Sequence, residues 1–247
     1  MRLERAGEHN KKKQTFYGVL VGQHFSKDAW NRAKKEGLHL IHLGKMFGDD
    51  AMKLVQQYSE LAQSVTGSMD RLDPSKFDLI TESLTDLKSS PIVKDLRSIG
   101  FEILASLLLR SENYESVEMN LNVPFLETSR EIDATGKRTA EGTVIRRVVE
   151  CKAHASKVDL TEEEIKKFFT ETVSASLKHF GKEDDCLIEA ELWTTGKISA
   201  ETEEHLAKLK LSKKVTPRIR GLKSIKKLVP KELKPARKLL EAIAKGG

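Results

Sequence analysis

The sequence predicts an α/β fold with a mixed central sheet flanked by helices. Three observations carry this. Three β-rich segments follow one another at 116–125, 129–136 and 143–153. A fourth, DCLIEAELWTTG (185–196), comes only after a long helical stretch. Helical patterns bracket the whole group, so the order is helix, three strands, helix, strand, helix.

Taken in order, residues 1–14 read as a polar, basic arm. TFYGVLVG (15–22) is a buried strand ended by Gly22, Ser26 caps a helix over DAWNRAKKEG, and Gly37 closes it. LHLIHL (38–43) is a short strand and 49–65 an amphipathic helix, so residues 1–66 form a β-α-β-α unit. TGSMDRLDPSK (66–76) has linker chemistry. Helices follow at 77–88 and from a Ser90 cap, with Pro91 in its first turn, to Arg110; Gly100 weakens the second. After the three strands, Asp159 or Thr161 starts a helix that runs to Phe180, and Ser199 opens another to Lys210. The central domain is thus expected over 75–210, and 211–247 as a basic C-terminal segment with a helix near 231–244. VLVGQHFSKDAW (19–30) and ELWTTGKISAET (191–202) share a pattern of strand, polar loop, apolar–Ser and helix. That reads either as a coincidental β–α unit or as a partial repeat.

The chain has 247 residues and a net charge of +6, unevenly spread. Between 205 and 247 there are fourteen Lys and Arg against two Glu, a net +12, which leaves −6 for the remainder. Such asymmetry points to an acidic polymer as partner. Cys151 and Cys186 form no CxxC pair, which disfavours a zinc or disulfide scaffold and fits a reducing compartment. His24, His39 and His42 show no zinc spacing. The N-terminal residues carry no signal-peptide core, and the longest apolar run, ILASLLL (103–109), is too short to span a bilayer. A cytoplasmic protein without membrane association is the expectation.

The chemistry concentrates in REIDATGKRTAEGTVIRRVVECKAHASK (130–157). Charged residues inside strands are costly unless paired or used. Asp133 ends the run EID before ATGK, which reads as a turn, while Glu150 and Lys152 lie two apart on the next strand and face the same side. In a hairpin, Asp133 lies beside them. Two converging carboxylates suit Mg²⁺ with retained waters, and a lysine beside such an ion can orient a water or stabilise phosphate charge. The plainer readings are an edge-strand ion pair for Glu150 and Lys152, and a turn-starting aspartate for Asp133.

EID (131–133), the gap of sixteen residues and VVECKA (148–153) resemble the PD-(D/E)xK nuclease superfamily, with ECK filling the (D/E)xK motif and Ile132 standing where the motif has Pro. The order is most similar to Mrr-type restriction endonucleases and archaeal Holliday-junction resolvases. It shares with them a Phe-Glu helix, here GFEILASLLLRSENYESVEMN (100–120), and a Thr-rich turn with a Ser-started helix, here LWTTGKISAE (192–201). The resemblance covers about half of the chain. It implies a restriction-endonuclease-like fold and a metal-dependent DNA endonuclease of restriction or defence type. It further implies that Asp133 and Glu150 bind Mg²⁺ (Mn²⁺ substituting) with the Cys151 carbonyl, that Lys152 acts on the water, and that Glu102 is an accessory acid. The Cys151 side chain is expected to pack on the opposite face. DNA contacts are expected from Lys157, Lys166, Lys167, Lys213, Lys214, Arg218 and Arg220, and a homodimer is a possible assembly. Two alternatives stay open: a junction- or flap-specific repair nuclease, and a non-catalytic DNA-binding module on a nuclease-like fold.

Overall fold

The computed structural model describes residues 19–22, 25–42, 45–46, 48–66, 73–86, 92–181 and 186–245. The expected arm at 1–14, the start of the first strand at 15–18, His24, most of the linker (67–72), the Ser90–Pro91 cap and Asp185 lie outside the described residues. The chain divides into two compact units, Met1–Met52 and Lys53–Gly247.

In the smaller unit, β1 (Val19–Gly22) and β2 (His39–His42) pair in parallel, joined by α1 (Lys27–Lys35). The Ser26 hydroxyl accepts the Ala29 N–H at 3.1 Å, the helix-start chemistry expected of it. Gly37 follows at φ 68°, a backbone that glycine adopts without strain.

The larger unit begins within α2 (Asp49–Thr66), continues through α3 (Ser75–Asp86) and α4 (Ile92–Ser111), and then enters the sheet. The strands are β3 (Glu115–Phe125), β4 (Thr128–Ala140), β5 (Thr143–Lys152), β6 (Leu187–Thr194) and β7 (Val215–Gly221), in that spatial order. β3, β4 and β5 are antiparallel neighbours, whereas β6 and β7 join in parallel, so the sheet is mixed. After β5 a helix runs as α5 (Glu162–Lys166), a π-helical stretch (Lys167–Thr172) and α6 (Val173–Phe180). Thr161 is its cap, with Glu164 completing a capping box. α7 (Ala200–Lys208) links β6 to β7, and α8 (Leu222–Leu228) and α9 (Lys234–Lys245) close the unit.

Each sheet face carries its own core. Ala134, Val149, Cys151 and Trp193 pack with α4 in a cluster that also takes Leu54, Tyr58, Leu61 and Val65, Phe77, Ile80 and Leu84, and Leu239, Leu240 and Ile243. On the other face, Val148, Ile188, Ala190 and Leu192 meet Ile165, Phe168, Phe169 and Val173. These sets correct the expected domain boundaries. The larger unit starts at Lys53 rather than after residue 66, because the apolar face of α2 belongs to its core. Residues 211–247 are no appended tail: they supply the fifth strand and two helices. Ile225, Val229, Leu239, Leu240 and Ile243 are buried at helical spacing, while the lysines between them stay outside.

Two further expectations change. ATGK is not a turn: β4 continues through it, and the chain reverses at Glu141 (φ 51°) and Gly142 (φ 78°). Gly136 sits inside the strand because a Cβ there would lie 2.8 Å from Tyr114 Cβ. Gly100 does not interrupt α4; it makes room for the Tyr58 ring, which would be 2.6 Å from an added Cβ at its hydroxyl. β1–α1–β2 and β6–α7–β7 are both strand, Ser-capped helix and parallel strand, the common pattern noted in the two segments. No helix among the described residues is long and apolar enough to cross a membrane.

Candidate active site

The β4–β5 ladder ends at Ala134 and Val149. One residue beyond, the strands part, and Asp133 meets β5 through its side chain: the Cys151 N–H donates to Asp133 Oδ2 at 2.7 Å. On the other edge of β5, the Thr195 N–H donates to the Lys152 carbonyl at 3.1 Å. Successive residues of a strand direct their backbone groups to opposite edges, so the Cys151 carbonyl points to the Asp133 side. Val149 and Cys151 point their side chains into the core with α4, so Glu150 and Lys152 project from the opposite face at this open end. The Cys151 thiol is packed, and burial raises its pKa well above the ordinary thiol range.

Lys152 Nζ donates to Glu150 Oε1 at 2.8 Å. Burial pulls the lysine pKa down, but Glu150 and then Asp133 outweigh it, and the ammonium is held above its ordinary value. Lys152 is therefore a cation and donor in this arrangement rather than a base. Burial first, and the Glu150 charge second, push Asp133 up to about 8, against the lowering effect of the Cys151 N–H. Glu102 reaches the same cleft from α4: burial, then Glu131 and Glu150, raise it to about 7, while a hydrogen bond from Asn120 opposes. Asp133 and Glu102 are thus raised by burial and by neighbouring carboxylate charge, and the Lys152 ammonium does not compensate them.

The cleft has a volume of about 1030 Å³ and lies between α4 and the loop and helix after β5. Its floor is Asp133, Glu150 and Lys152; Glu102 lines one wall and His154, Glu164 and Lys167 the other. His154 Nε2 lies 2.9 Å from Glu164 Oε1. The loop is held from β6: Thr195 Oγ1 donates to the His154 carbonyl at 2.7 Å, and the Lys197 N–H donates to the Val158 carbonyl at 2.9 Å. Gly196 is needed there, since a Cβ would lie 2.3 Å from that carbonyl. The TTG turn is thus the clamp that fixes the cleft's outer wall.

The remaining candidates divide. Lys167 lines the cleft, and its neighbour Lys166 is exposed on the same helix, as is Lys157 on the loop. Lys213, Lys214, Arg218 and Arg220 stand elsewhere, on β7 and the approach to it, outside the cleft lining. Arg220 is committed to Glu191, with Nη2 to Oε1 at 2.8 Å, and only 13 % of its side chain is exposed. Arg218 is half exposed and 3.6 Å from the same carboxylate. Glu191 also accepts the Trp193 indole N–H, and Arg147 bonds Glu112 and Glu189, the latter shared with the Tyr114 hydroxyl and Arg138. This is an internal ionic network on the sheet. Unforeseen from sequence were Lys94, Arg97 and Ser98, which line the cleft from α4. For Ser98 and Lys94, one and two i,i+4 steps back from Glu102, helical spacing was the available signal; Arg97 had none.

Among the described residues no three His, Cys, Asp or Glu side chains are gathered closely enough to cage a metal ion. The donors that could hold one are the carboxylates of Asp133 and Glu150 with the Cys151 carbonyl, waters filling the rest, and Glu102 acting through such waters. This hard-oxygen set fits Mg²⁺. A cation would also relieve the charge crowding that raises Asp133 and Glu102. The chain matches no family model and no curated protein.

Proposed function

We propose that the protein is a metal-dependent DNA endonuclease of restriction-endonuclease-like fold. The observation that carries this reading is the convergence of Asp133, Glu150, Lys152 and Glu102, from three separate elements, in one cleft. An ion-pair role alone would need one carboxylate for Lys152; the cleft gathers three, and the Glu150 charge helps to raise both Asp133 and Glu102. The mixed sheet supports the assignment, with the paired acids at the point where β4 and β5 part.

A divalent cation, Mg²⁺ or Mn²⁺, would supply Lewis acidity and a water acidified toward neutrality. Asp133 and Glu150 would hold it, and the Cys151 N–H fixes which Asp133 oxygen is left free. Lys152, kept protonated by Glu150, presents its N–H groups to the attacking water and to the negative charge that grows on the phosphate oxygens. Glu102, on the same cleft, would accept from the cation's waters. Restriction or defence is the proposed setting, and cleavage of two strands by two copies the proposed assembly. The test is nicking of supercoiled plasmid with Mg²⁺ or Mn²⁺, wild type beside Lys152→Ala. Nicking by wild type and not by the variant supports the reading. If neither cuts plasmid, junction, flap or methylated DNA, the endonuclease is ruled out and a binding module takes its place.

A further inference from the structure

We propose that the Arg97 guanidinium anchors a substrate phosphate one step along the strand from the scissile one; this rests on the nuclease reading of the cleft. Arg97 lines the cleft from α4 with 8 % of its surface exposed, yet its Nε has no hydrogen-bond partner, and no carboxylate among the described residues pairs with it. An arginine cannot escape this by deprotonating, so a largely buried guanidinium with an unpartnered Nε and no countercharge is costly unless an anion arrives. Arg147 differs, being bonded to Glu189 at 2.8 Å; Arg146, whose Nη1 likewise has no partner, is set off from Arg97 by the Phe180 ring, 3.9 Å from its guanidinium carbon, and by lying outside the cleft lining. The polar neighbour of Arg97 is Tyr58, whose phenol is held far above its ordinary pKa by burial and stays neutral. Its hydroxyl also lacks a partner, so it supplies no countercharge.

The ligand chemistry follows from the fork. A guanidinium meets two oxygens of one group, as a phosphodiester presents them. Arg97 and Glu102 are five residues apart, about 7.5 Å along the helix axis. The anchored group is therefore a phosphate beyond the one at the carboxylates. Lys94 and Ser98 line the same wall and extend the track.

The test uses the full chain, a fluorescein-labelled short DNA duplex and EDTA, so that no cleavage intervenes. Anisotropy titrations over a salt series compare wild type, Arg97→Met and Arg97→Lys. The expected result for Arg97→Met is about tenfold weaker binding and a salt slope shallower by about one phosphate contact, with Arg97→Lys partly restoring both. Arg97→Met should melt at or above the wild-type temperature, since an unpaired buried charge is replaced by an apolar chain of similar length. Unchanged affinity and slope overturn the anchor, and so does a variant that melts lower, which would assign the guanidinium a packing role. Plasmid nicking separates the two readings. Arg97-dependent binding without any nicking by wild type sinks the nuclease and keeps the anchor. Nicking that Arg97→Met leaves untouched sinks the anchor alone.

Discussion

Asp133 completes the end of β5: its carboxylate accepts the Cys151 N–H at 2.7 Å at the point where the β4–β5 ladder has run out. One side chain therefore both closes the sheet and opens the cleft. The two roles separate by substitution. Asp133→Asn keeps an acceptor for Cys151 and removes the charge that burial and Glu150 oppose. It should abolish Mg²⁺ binding in calorimetry while the metal-free variant melts no lower than wild type near neutral pH. Asp133→Ala orphans the N–H and should cost about 1–3 kcal/mol in urea unfolding.

The raised carboxyls make metal-free stability pH-dependent. Asp133 moves from 3.8 to about 8 and Glu102 from 4.5 to about 7. Because both folded pKa values lie above the unfolded ones, their stabilising contribution is complete below about pH 4 and is lost as pH rises through 7 to 8. Glu189 and Glu191 run the other way. Burial raises them, but hydrogen bonds and the arginines outweigh it and hold them low, so their contribution is lost only on acidification. Thermal melts in EDTA should thus fall between pH 5 and 8, and the gain on adding Mg²⁺ should grow over the same window. A Mg²⁺ effect that is flat in pH would contradict the site.

The ionic network beneath the sheet is a stability element, and its loss should not mimic loss of chemistry. Glu191, 2 % exposed, holds Arg220 and the Trp193 indole. Glu191→Ala leaves Arg220 buried without its partner and should destabilise by about 3–5 kcal/mol. Lys213→Ala, at an exposed position, should leave the urea midpoint unchanged. Paired urea titrations read both.

Gly136→Ala should lower the melting temperature. The added Cβ would meet Tyr114 Cβ at 2.8 Å and Val117 Cγ2 at 3.2 Å, neither at the end of a long flexible chain. Overpacking of this kind costs about 1–3 kcal/mol. A variant as stable as wild type would show that packing between Tyr114 and β4 does not require glycine.

The site was legible where the signal is local. Strand alternation puts Glu150 and Lys152 on one face whatever the tertiary context, and Cys151 accordingly packs inward. The turn was misplaced because Gly136 carries turn chemistry but serves a close approach to Tyr114, while the true reversal at Glu141–Gly142 has an equally modest signature. The helix expected near 231–244 is there as Lys234–Lys245, whereas β7 and α8 went unread because the basic residues around Val215, Ile225 and Val229 masked their buried positions. Arg97 escaped notice because an arginine on a helix is ordinarily exposed; only its burial sets it apart.

The helix that bears Arg97 and Glu102 shares one core with Leu54–Val65 and with Ala236–Ile243, segments from opposite ends of the larger unit. This has a consequence for the order of events during synthesis. A nascent chain still missing its last helix leaves Phe77, Ile80 and Leu84 uncovered, and α4 is not yet clamped to the sheet. Glu102, borne on α4, is therefore seated beside the β4–β5 pair only once the last helix of the unit has been made.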